Sequence, residues 1–352
     1  MRNWLFIQQR KSFIVPNHQM IIPVIWWLRE MILRLFFKGE RRNFIRDRLH
    51  DRWVCCWVRK WQPFILIGSE KSCKDSFLAV KKYQGICILD LAQIHVHELE
   101  TIRNVNVFLK KDWGNDSLFG KIKKVKLIEY DLADYILVIS SKMKNSLMKA
   151  GIPEGKLFSL TLGFNPQIFY KIPYPKIIDN HVLKLIFVGN LSEAKGILFL
   201  IKIMERLLFL PISLTLIGSN GHSFRNKTEL PNIVFKGVMD QLSVANYLRD
   251  ADIFVFPSYL DSWGMAVIEA MAVGLPVVVS HNVGASAWID ENSGFVLPIQ
   301  EDPWIKTILF LYFNPSLRLK MGKQASAKVD KLTWENYQDE LNNCLIEVIS
   351  KV

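Results

Sequence analysis

Cysteine is scarce in this 352-residue chain, and its five copies are not arranged as a metal or disulfide site. They include no C-x-x-C pair and no cluster with histidine, and they stand at Cys55, Cys56, Cys73, Cys87 and Cys344. The spacing therefore indicates neither a structural zinc site nor a disulfide framework, and it favours a reducing compartment.

Acidic residues are outnumbered by basic ones, 33 to 45, which leaves a net charge of +12. Residues 1–62 account for most of the excess, because they hold thirteen Lys and Arg against four Asp and Glu. The same segment contains six tryptophans. Basic charge mixed with Trp suits an anionic membrane surface or a phosphate-rich ligand. Nucleic-acid binding is supported only by the positive charge, and we do not expect nucleic acid as a partner.

No hydrophobic run is long and clean enough to predict a membrane-spanning helix. The most apolar stretch, Met20–Phe37, contains Pro23 and three charged residues, which a spanning helix rarely tolerates. The first fifteen residues also lack the apolar core and small-residue cleavage site of a signal peptide. We expect a cytoplasmic protein that touches the inner membrane face. The alternative is a buried helix whose arginines reach the surface.

Half of the residues are hydrophobic and 22% are charged, a composition that excludes a mostly disordered chain. At this length two domains are expected. In the second half, short apolar runs rich in β-branched and aromatic residues alternate with segments of helical spacing. The predicted strands are 185–188, 214–217, 233–235, 253–256 and 277–279, and the predicted helices are 197–210, 242–249 and 265–273. Such βαβ repetition indicates a parallel, doubly wound sheet.

The first half is predicted to have the same architecture with less regularity. Its strands are expected at 63–67, 85–89, 135–139 and 157–160, and its helices at 121–132 and 142–150. Gly151 and Pro153 end the last of these helices. Residues 165–181 carry three prolines and little periodicity, which marks a linker. The expected domains are therefore 1–172 and 182–330.

The most informative segment is 257–280, which predicts a strand end, a polar loop and a helix entered near Gly264. Asp261 lies in the loop and Glu269 about one turn into the helix, so both carboxylates can lie near the helix N-terminus. There the helix dipole attracts an anion, which unpaired amides can bind. The amides predicted to be unpaired are those of Trp263, Gly264 and Met265. The alternative is that Asp261 only caps the helix and Glu269 is solvated.

This segment resembles glycosyltransferase family 4. The family signature separates an acidic residue from a Glu by seven residues inside a Pro-Ser … Glu-Ala-Met-Ala-x-Gly-x-Pro-Val-Val frame, and Asp261 and Glu269 match that spacing. The first acid is more often Glu, and Trp263 stands where Phe is usual. The resemblance implies an α/β GT-B fold, with two Rossmann-like doubly wound domains facing a cleft, and sugar transfer from a nucleotide donor with retention. It places Asp261 near the donor sugar and its phosphates, and Glu269 at the ribose hydroxyls.

A second element of the resemblance is Phe187–Gly196. Its Lys195 is implied to bind the leaving diphosphate, which a flexible ammonium can reach as a point charge. Many members of the family have Arg directly after Val-Gly, whereas this chain has Asn190, which removes one source of charge stabilisation. The residues implied to bind the donor are Gly189, Asn190, Gly196, Ser262, Trp263, Gly264, Met265 and Glu269.

His95 and His97 follow the predicted strand 85–89, where alternation would place both on one side of an extended segment. A neutral imidazole there could orient the acceptor or bond the donor sugar, and His95 is the better candidate. A structural role is the alternative for both. The predicted catalytic residues are Asp261, Glu269, Lys195 and His95. No metal or other cofactor is expected, since amides, the helix dipole and Lys195 can neutralise a diphosphate.

Other segments match the family in fold more than in mechanism. They are 129–134, 162–165, 282–286 and a terminal helix over 333–350 that would cross back onto the first domain and complete it. The glycine-containing loop with which the family opens is missing, since Gly39 is the first glycine. The first domain is therefore expected either to lack its opening strand or to have replaced it.

The resulting hypothesis is a retaining transferase that uses a UDP- or GDP-sugar. Its acceptor would be a glycan or a lipid-linked glycan in cell-surface polysaccharide synthesis. The alternative is a GT-B-like binding or scaffold protein with impaired catalysis, which Asn190 and the missing glycine loop favour.

Overall fold

The computed structural model describes residues 4–7, 13–14, 39–171 and 182–351. The chain folds into two compact units, residues 1–159 and 160–352. Each unit contains one six-stranded sheet, as the alternating pattern of the sequence predicts.

The first unit has a sheet in which every strand except the second is parallel. Its strands are β1 (Trp4–Ile7), β2 (Phe13–Ile14), β3 (Ile65–Ser69), β4 (Ile86–Asp90), β5 (Tyr135–Val138) and β6 (Leu157–Ser159). Its helices are α1 (Gly39–Trp61), α2 (Lys74–Lys81), α3 (Val96–Val105), α4 (Val107–Asp112), α5 (Asp116–Leu132) and α6 (Ser141–Lys149). The strand order is β2-β1-β3-β4-β5-β6.

The expectation that the opening strand is absent is wrong. Strand β1 pairs in parallel with β3, with Trp4 opposite Ile65, and β2 turns back antiparallel to β1. A strand therefore opens the unit without the glycine-containing loop that usually follows it. The pattern of the sequence did not predict this strand, which is four residues long.

The core of the first unit surrounds β3 and β4, whose side chains are apolar on both faces. Ile65–Ile67 and Ile86–Leu89 are at most 9% exposed, as parallel strands covered by helices on both sides require. Helix α1 packs on α2 and buries one face, which includes Val54 and Val58.

Two acids of the family-like segment 129–134 hold this architecture together. The carboxylate of Glu129 accepts hydrogen bonds of 2.7 to 3.1 Å from the amides that lead into α2, those of Lys71, Cys73 and Lys74. Asp134 accepts the amide of Cys87 in β4 at 2.8 Å. These contacts fix the start of α2 and the position of β4. The two acids therefore have a structural role, in agreement with the expectation that segment 129–134 reflects the fold more than the mechanism.

The second unit has a wholly parallel sheet of order β12-β11-β10-β7-β8-β9. Its strands are β7 (Leu183–Val188), β8 (Ile212–Ile217), β9 (Ile233–Gly237), β10 (Ile253–Phe256), β11 (Val277–Ser280) and β12 (Gly294–Leu297). Its helices are α7 (Ile197–Arg206), α8 (His222–Arg225), α9 (Gln241–Asp250), α10 (Met265–Ala272), α11 (Glu301–Phe313), α12 (Pro315–Val329) and α13 (Trp334–Ser350). The strand order reverses between β7 and β10, and ligands of such sheets bind at that reversal, beyond the carboxyl ends of the strands.

The segment that follows β6 belongs to the second unit and contacts its last helix. The amide of Thr161 donates to the Glu340 carboxylate at 2.7 Å, and the amide of Phe164 donates to the Leu332 carbonyl at 2.8 Å. The unit boundary therefore lies a few residues before the linker that the prolines indicate. That α13 completes the first domain stays a prediction.

Within the part of the chain that the structure describes, no helix has the length and apolarity needed to cross a membrane. The apolar run Met20–Phe37, which the sequence offers as a membrane contact or a buried helix, lies outside the described residues.

Candidate active site

A short 3-10 turn, Glu193–Lys195, follows β7 and contacts the loop that follows β10. The amide of Tyr259 donates to the Ala194 carbonyl at 2.9 Å. Gly196 ends the turn with φ of +78°, and a Cβ at this position would lie 2.2 Å from the Pro257 carbonyl oxygen. Glycine is thus required both for the backbone angle and for the close approach of the two loops.

This approach brings Lys195 and Asp261 into contact at the reversal of strand order. Lys195 Nζ lies 2.6 Å from Asp261 Oδ2 and 3.4 Å from the Leu260 carbonyl. The two side chains are 25% and 20% exposed. The ammonium predicted to bind a diphosphate is therefore paired with a carboxylate.

Asp261 is fixed by its backbone as well as by its side chain. Its amide donates to the Asn282 carbonyl at 3.0 Å, and its carbonyl accepts the Gly284 amide at 2.9 Å. Its Oδ1 accepts the Trp263 amide at 3.1 Å. The prediction that the Trp263 amide is unpaired is thus wrong, because the nearby carboxylate occupies it.

The other two predicted anion-binding amides remain available. Gly264 precedes α10 with φ of +93°, and within the described residues the amides of Gly264 and Met265 have no protein acceptor. They lie at the N-terminus of α10, where the dipole favours negative charge. Ser262 lies on the same loop, half-buried.

Glu269 lies in the second turn of α10 and is mostly buried. Among the described residues, no group donates a hydrogen bond to its carboxylate. Burial raises the pKa of Glu269 to about 7. A carboxylate that is desolvated and unpaired in the free protein is typical of a functional site rather than of a solvated helix face.

Asn190 connects two loops instead of supplying charge. Its Oδ1 accepts hydrogen bonds from Ser219 Oγ and Asn220 Nδ2, each at 2.8 Å. Gly189 precedes it and donates its amide to the Ile217 carbonyl at 2.9 Å. Asn190 thus ties the loop after β7 to the loop after β8. Sequence reasoning missed Ser219 and Asn220, for which the only signal is Gly218 directly after a predicted strand.

The two histidines do not lie on an extended segment, so that expectation is wrong. His95 caps α3 and His97 lies in its first turn, with His95 Nδ1 accepting the His97 amide at 3.3 Å. His95 is buried against the Tyr130 ring, 4.9 Å between centroids, whereas His97 is exposed. Burial, with a smaller effect of His97, lowers the pKa of His95 to about 4, so its imidazole is neutral at pH 7.

Three of the four predicted catalytic residues, Asp261, Glu269 and Lys195, therefore lie in the second unit around the start of α10. His95 lies in the first unit. Its predicted role in catalysis stays a prediction.

Comparison with known proteins agrees with this architecture. Residues 183–314 match the family model described as glycosyl transferases group 1. Sucrose-phosphate synthase from Thermosynechococcus elongatus superimposes with a TM-score of 0.74 at 18% identity, over 90% of this chain and 81% of that one. HepE from Anabaena, solved in complex with UDP, superimposes with a TM-score of 0.66 at 15% identity, over 86% and 82%. The fold of this chain is GT-B.

A curated relative extends the match beyond the second unit of the GT-B fold. The amylovoran biosynthesis glycosyltransferase AmsK of Erwinia amylovora is 27% identical over 279 residues, which are 74% of this chain and 65% of AmsK. The D-inositol 3-phosphate glycosyltransferase of Pseudarthrobacter chlorophenolicus is 26% identical over 185 residues, 49% of this chain and 44% of that protein. The chain thus spans less than two thirds of the length of these relatives. Membership of glycosyltransferase family 4 stays a prediction.

Proposed function

We propose that this protein is a glycosyltransferase that moves a sugar from a nucleotide-sugar donor to a glycan or lipid-linked acceptor, with retention of configuration. The observation that carries the proposal is Glu269, a mostly buried carboxylate without a protein partner, in the domain that matches the group 1 transferases. Hydroxyl groups of a nucleotide ribose would supply the hydrogen bonds that the protein does not.

The donor diphosphate would bind at the N-terminus of α10. The free amides of Gly264 and Met265 would donate to its oxygens, and Lys195 would exchange its pairing with Asp261 for one with the diphosphate. Asp261 would then be released to bind hydroxyls of the donor sugar. HepE binds UDP in a structure of the same fold, which supports a uridine nucleotide as the first donor to test.

The chemistry proposed here needs no nucleophile from the protein. As the bond to the anomeric carbon breaks, negative charge grows on the leaving diphosphate, and Lys195 and the amides stabilise it. The leaving diphosphate assists deprotonation of the incoming acceptor hydroxyl on the same face of the sugar. Independence from metal ions is part of the proposal, because this set of groups replaces a divalent cation.

We also propose that the protein works at an anionic membrane surface. The exposed side of α1 carries two aromatic rings, Trp57 and Trp61, stacked with centroids 6.4 Å apart. Exposed basic side chains accompany them on the same helix, namely Arg52, Arg59 and Lys60. Aromatic rings partition to the interface while basic groups pair with anionic lipid headgroups. A polysaccharide pathway such as that of AmsK would suit this location.

A two-step experiment tests the proposed enzyme. Thermal shifts with UDP-, GDP- and ADP-sugars identify the donor, since a ligand that binds only the folded state raises Tm. Hydrolysis of that donor by the purified protein, with and without EDTA, then measures turnover and its metal dependence. We expect one nucleotide class to raise Tm. We also expect the protein to hydrolyse that donor slowly, at a rate that EDTA leaves unchanged.

The same experiment distinguishes the enzyme from the alternative, a binding protein with impaired catalysis. The presence of Asn190 where many family members have arginine favours that alternative. Binding of a nucleotide-sugar without turnover, by a sample whose Tm rises normally, would support the binding protein. Absence of any thermal shift would contradict both.

A further inference from the structure

Asn190, just beyond the carboxyl end of β7, is exposed and yet held in one orientation. Its Oδ1 accepts hydrogen bonds from Ser219 Oγ and from Asn220 Nδ2, each at 2.8 Å. All three residues are exposed, so water could satisfy the same oxygen, and the two bonds add little net stability. Holding an exposed side chain in one geometry also costs conformational entropy. The main effect of the two bonds is therefore to fix a direction.

The backbone brings the loop after β8 against the loop after β7. The amide of Leu191 donates to the Ser219 carbonyl at 3.0 Å. A Cβ on Gly218 would lie 1.7 Å from the Gly189 carbonyl oxygen, and the φ of Gly218 is +148°, so this approach requires glycine. Asn220 has a φ of +67°, which Asn adopts more readily than most residues. The backbone therefore holds both donor side chains in place.

The side-chain nitrogen of Asn190 points away from this contact. The oxygen and the nitrogen of an amide lie on opposite sides of its carbonyl carbon. Because the oxygen is bound by the loop after β8, the NH2 group is turned away from that loop. Among the residues that the structure describes, no acceptor binds either of its two N–H groups. Since Asn190 is exposed, a ligand can reach both.

The Phe256 ring relates the position of Asn190 to that of Lys195. Phe256 ends β10, the strand next to β7. Lys195 Nζ lies 5.7 Å from the centroid of this ring. A Cβ on Gly189, the residue before Asn190, would lie 3.7 Å from Cε2 of the same ring. The backbone that leads into Asn190 and the ammonium of Lys195 therefore both contact one ring, at the reversal of strand order.

The polar groups at this point share one chemistry. The NH2 group of Asn190, the ammonium of Lys195 and the two free amides at the start of α10 are all hydrogen-bond donors. A diphosphate presents only acceptor oxygens and can accept from all of them. We infer that Asn190 donates to a phosphate oxygen of the bound nucleotide, and that Ser219 and Asn220 are positioning residues that orient its amide. That the ligand is a nucleotide rests on the proposed function.

Calorimetry on the full chain tests the contact with phosphate. UDP, GDP and ADP are titrated first, and the one that binds is then compared with its monophosphate and its nucleoside. Asn190→Ala should weaken diphosphate binding about tenfold, the effect of losing a hydrogen bond to a charged oxygen. The affinity for the nucleoside should not change. Ser223→Ala, which removes an exposed hydroxyl from α8, is the control and should bind as the wild type does.

The positioning role has a readout of its own. Ser219→Ala combined with Asn220→Gly releases the Asn190 amide without a change of charge, and glycine tolerates the positive φ at position 220. The pair should weaken diphosphate binding about fivefold, because binding must then order a free side chain. In the Asn190→Ala background the same pair should cause no further loss, since it acts through Asn190. A merely structural role would weaken binding in both backgrounds.

Three results would overturn the inference. They are diphosphate binding by Asn190→Ala that equals the wild type, an equal loss of affinity for the nucleoside, and an equal effect of the paired substitution in both backgrounds. The proposed function fails on a different result. A protein that binds the diphosphate with the expected losses, but does not turn over the nucleotide-sugar, would contradict the transferase and leave the role of Asn190 standing. Binding of none of the three nucleotides would contradict both.

Discussion

Lys195 and Asp261, 66 residues apart in the chain, form an ion pair of 2.6 Å at the reversal of strand order in the second unit. The pair sets two opposing demands on one ammonium. Lys195 can bind a diphosphate only by leaving Asp261 or by sharing its charge with it. Substitutions of the two residues should therefore have opposite effects on nucleotide affinity: loss of the Lys195 charge should weaken binding, and loss of the Asp261 charge should strengthen it.

The first prediction concerns Lys195→Ala. If Lys195 stabilises charge that develops on the leaving diphosphate, its loss should lower kcat more than it raises the donor KM. The expected loss in kcat is about 100-fold, the effect of deleting one preorganised electrostatic group. Lys195→Arg should recover only part of it, because a planar guanidinium does not replace a compact ammonium. Steady-state kinetics measure both constants.

The control for this substitution is Lys320→Ala, which removes an exposed lysine from α12 and should leave both constants unchanged. A raised KM with kcat intact in Lys195→Ala would show that the lysine binds the donor without contributing to the chemical step.

The second prediction is that Asp261→Asn binds UDP more tightly while it turns over more slowly. Neutralising Asp261 releases Lys195 and removes a negative charge from the path of the diphosphate. The asparagine oxygen can still accept the Trp263 amide, so the loop should keep its shape. A partly exposed ion pair contributes about 1 kcal/mol, which corresponds to roughly fivefold in UDP affinity. Calorimetry with UDP provides the measurement, and weaker binding would contradict competition for Lys195.

The third prediction is that Glu269→Gln weakens nucleotide-sugar binding by about 1 to 3 kcal/mol, the contribution of a charge-assisted hydrogen bond. Glutamine keeps the shape of the side chain and can still accept a hydrogen bond, but without charge. Glu291→Gln, at an exposed acid of the same unit, is the matched control. Calorimetry should show the loss only in the first variant, and equal donor affinities would remove Glu269 from the site.

The fourth prediction links Glu269 to the pH dependence of stability. Its pKa is raised from 4.5 to about 7 in the folded protein, so ionisation favours the unfolded state. The free protein should therefore lose stability from this group as pH rises from 4.5 to 7. Glu269→Gln should be more stable than the wild type at pH 8, by about 3 kcal/mol, and equal to it near pH 4. Urea unfolding at both pH values decides, and a gain that is the same at both would exclude ionisation as its cause.

The fifth prediction concerns the exposed side of α1. A triple substitution of Arg59, Lys60 and Trp61 to Ala should lower binding to vesicles that contain anionic lipid, and the effect should shrink at high salt. Flotation with anionic and neutral vesicles measures it. Lys121→Ala combined with Lys124→Ala removes two exposed charges from α5 and should float like the wild type. Equal flotation of the triple variant would exclude α1 as the contact.

Point substitutions are preferable here to removal of residues 1–37. Strand β1 pairs with β3 in the sheet of the first unit, so the truncation would remove a structural strand together with the basic segment. Its effect on membrane binding could not be separated from an effect on folding.

Much of the fold could be predicted because hydrophobic periodicity is a local property. The strands at 253–256 and 277–280 and the helix at 265–272 lie within two residues of their predicted positions. Helix α1 was not predicted, because its charged and aromatic residues suggest a surface contact more strongly than a helix period. Strand β12 was also missed, since four residues with one glycine give little signal.

The candidate site was predictable where its residues are close in sequence. The spacing of Asp261 and Glu269 placed the first in a loop and the second about one turn into the helix that follows, and the structure has them there. The state of the Trp263 amide was not predictable, because it depends on the side-chain rotamer of Asp261. The prediction of an extended segment at His95 and His97 was wrong for a similar reason. A sequence this short does not distinguish the cap and first turn of a helix from an extended segment.

The sequence by itself determined the two parallel sheets, the helix start that carries Gly264 and Met265, and the identity of the charged groups near it. Only the tertiary structure decided which groups are paired. It pairs Lys195 with Asp261 and Asn190 with the loop after β8, and it gives the Glu269 carboxylate no partner among the described residues. The physical reason is that pairing depends on which strands are neighbours and how their ends align. That alignment joins residues far apart in the chain, and no local pattern of hydrophobicity or charge records it.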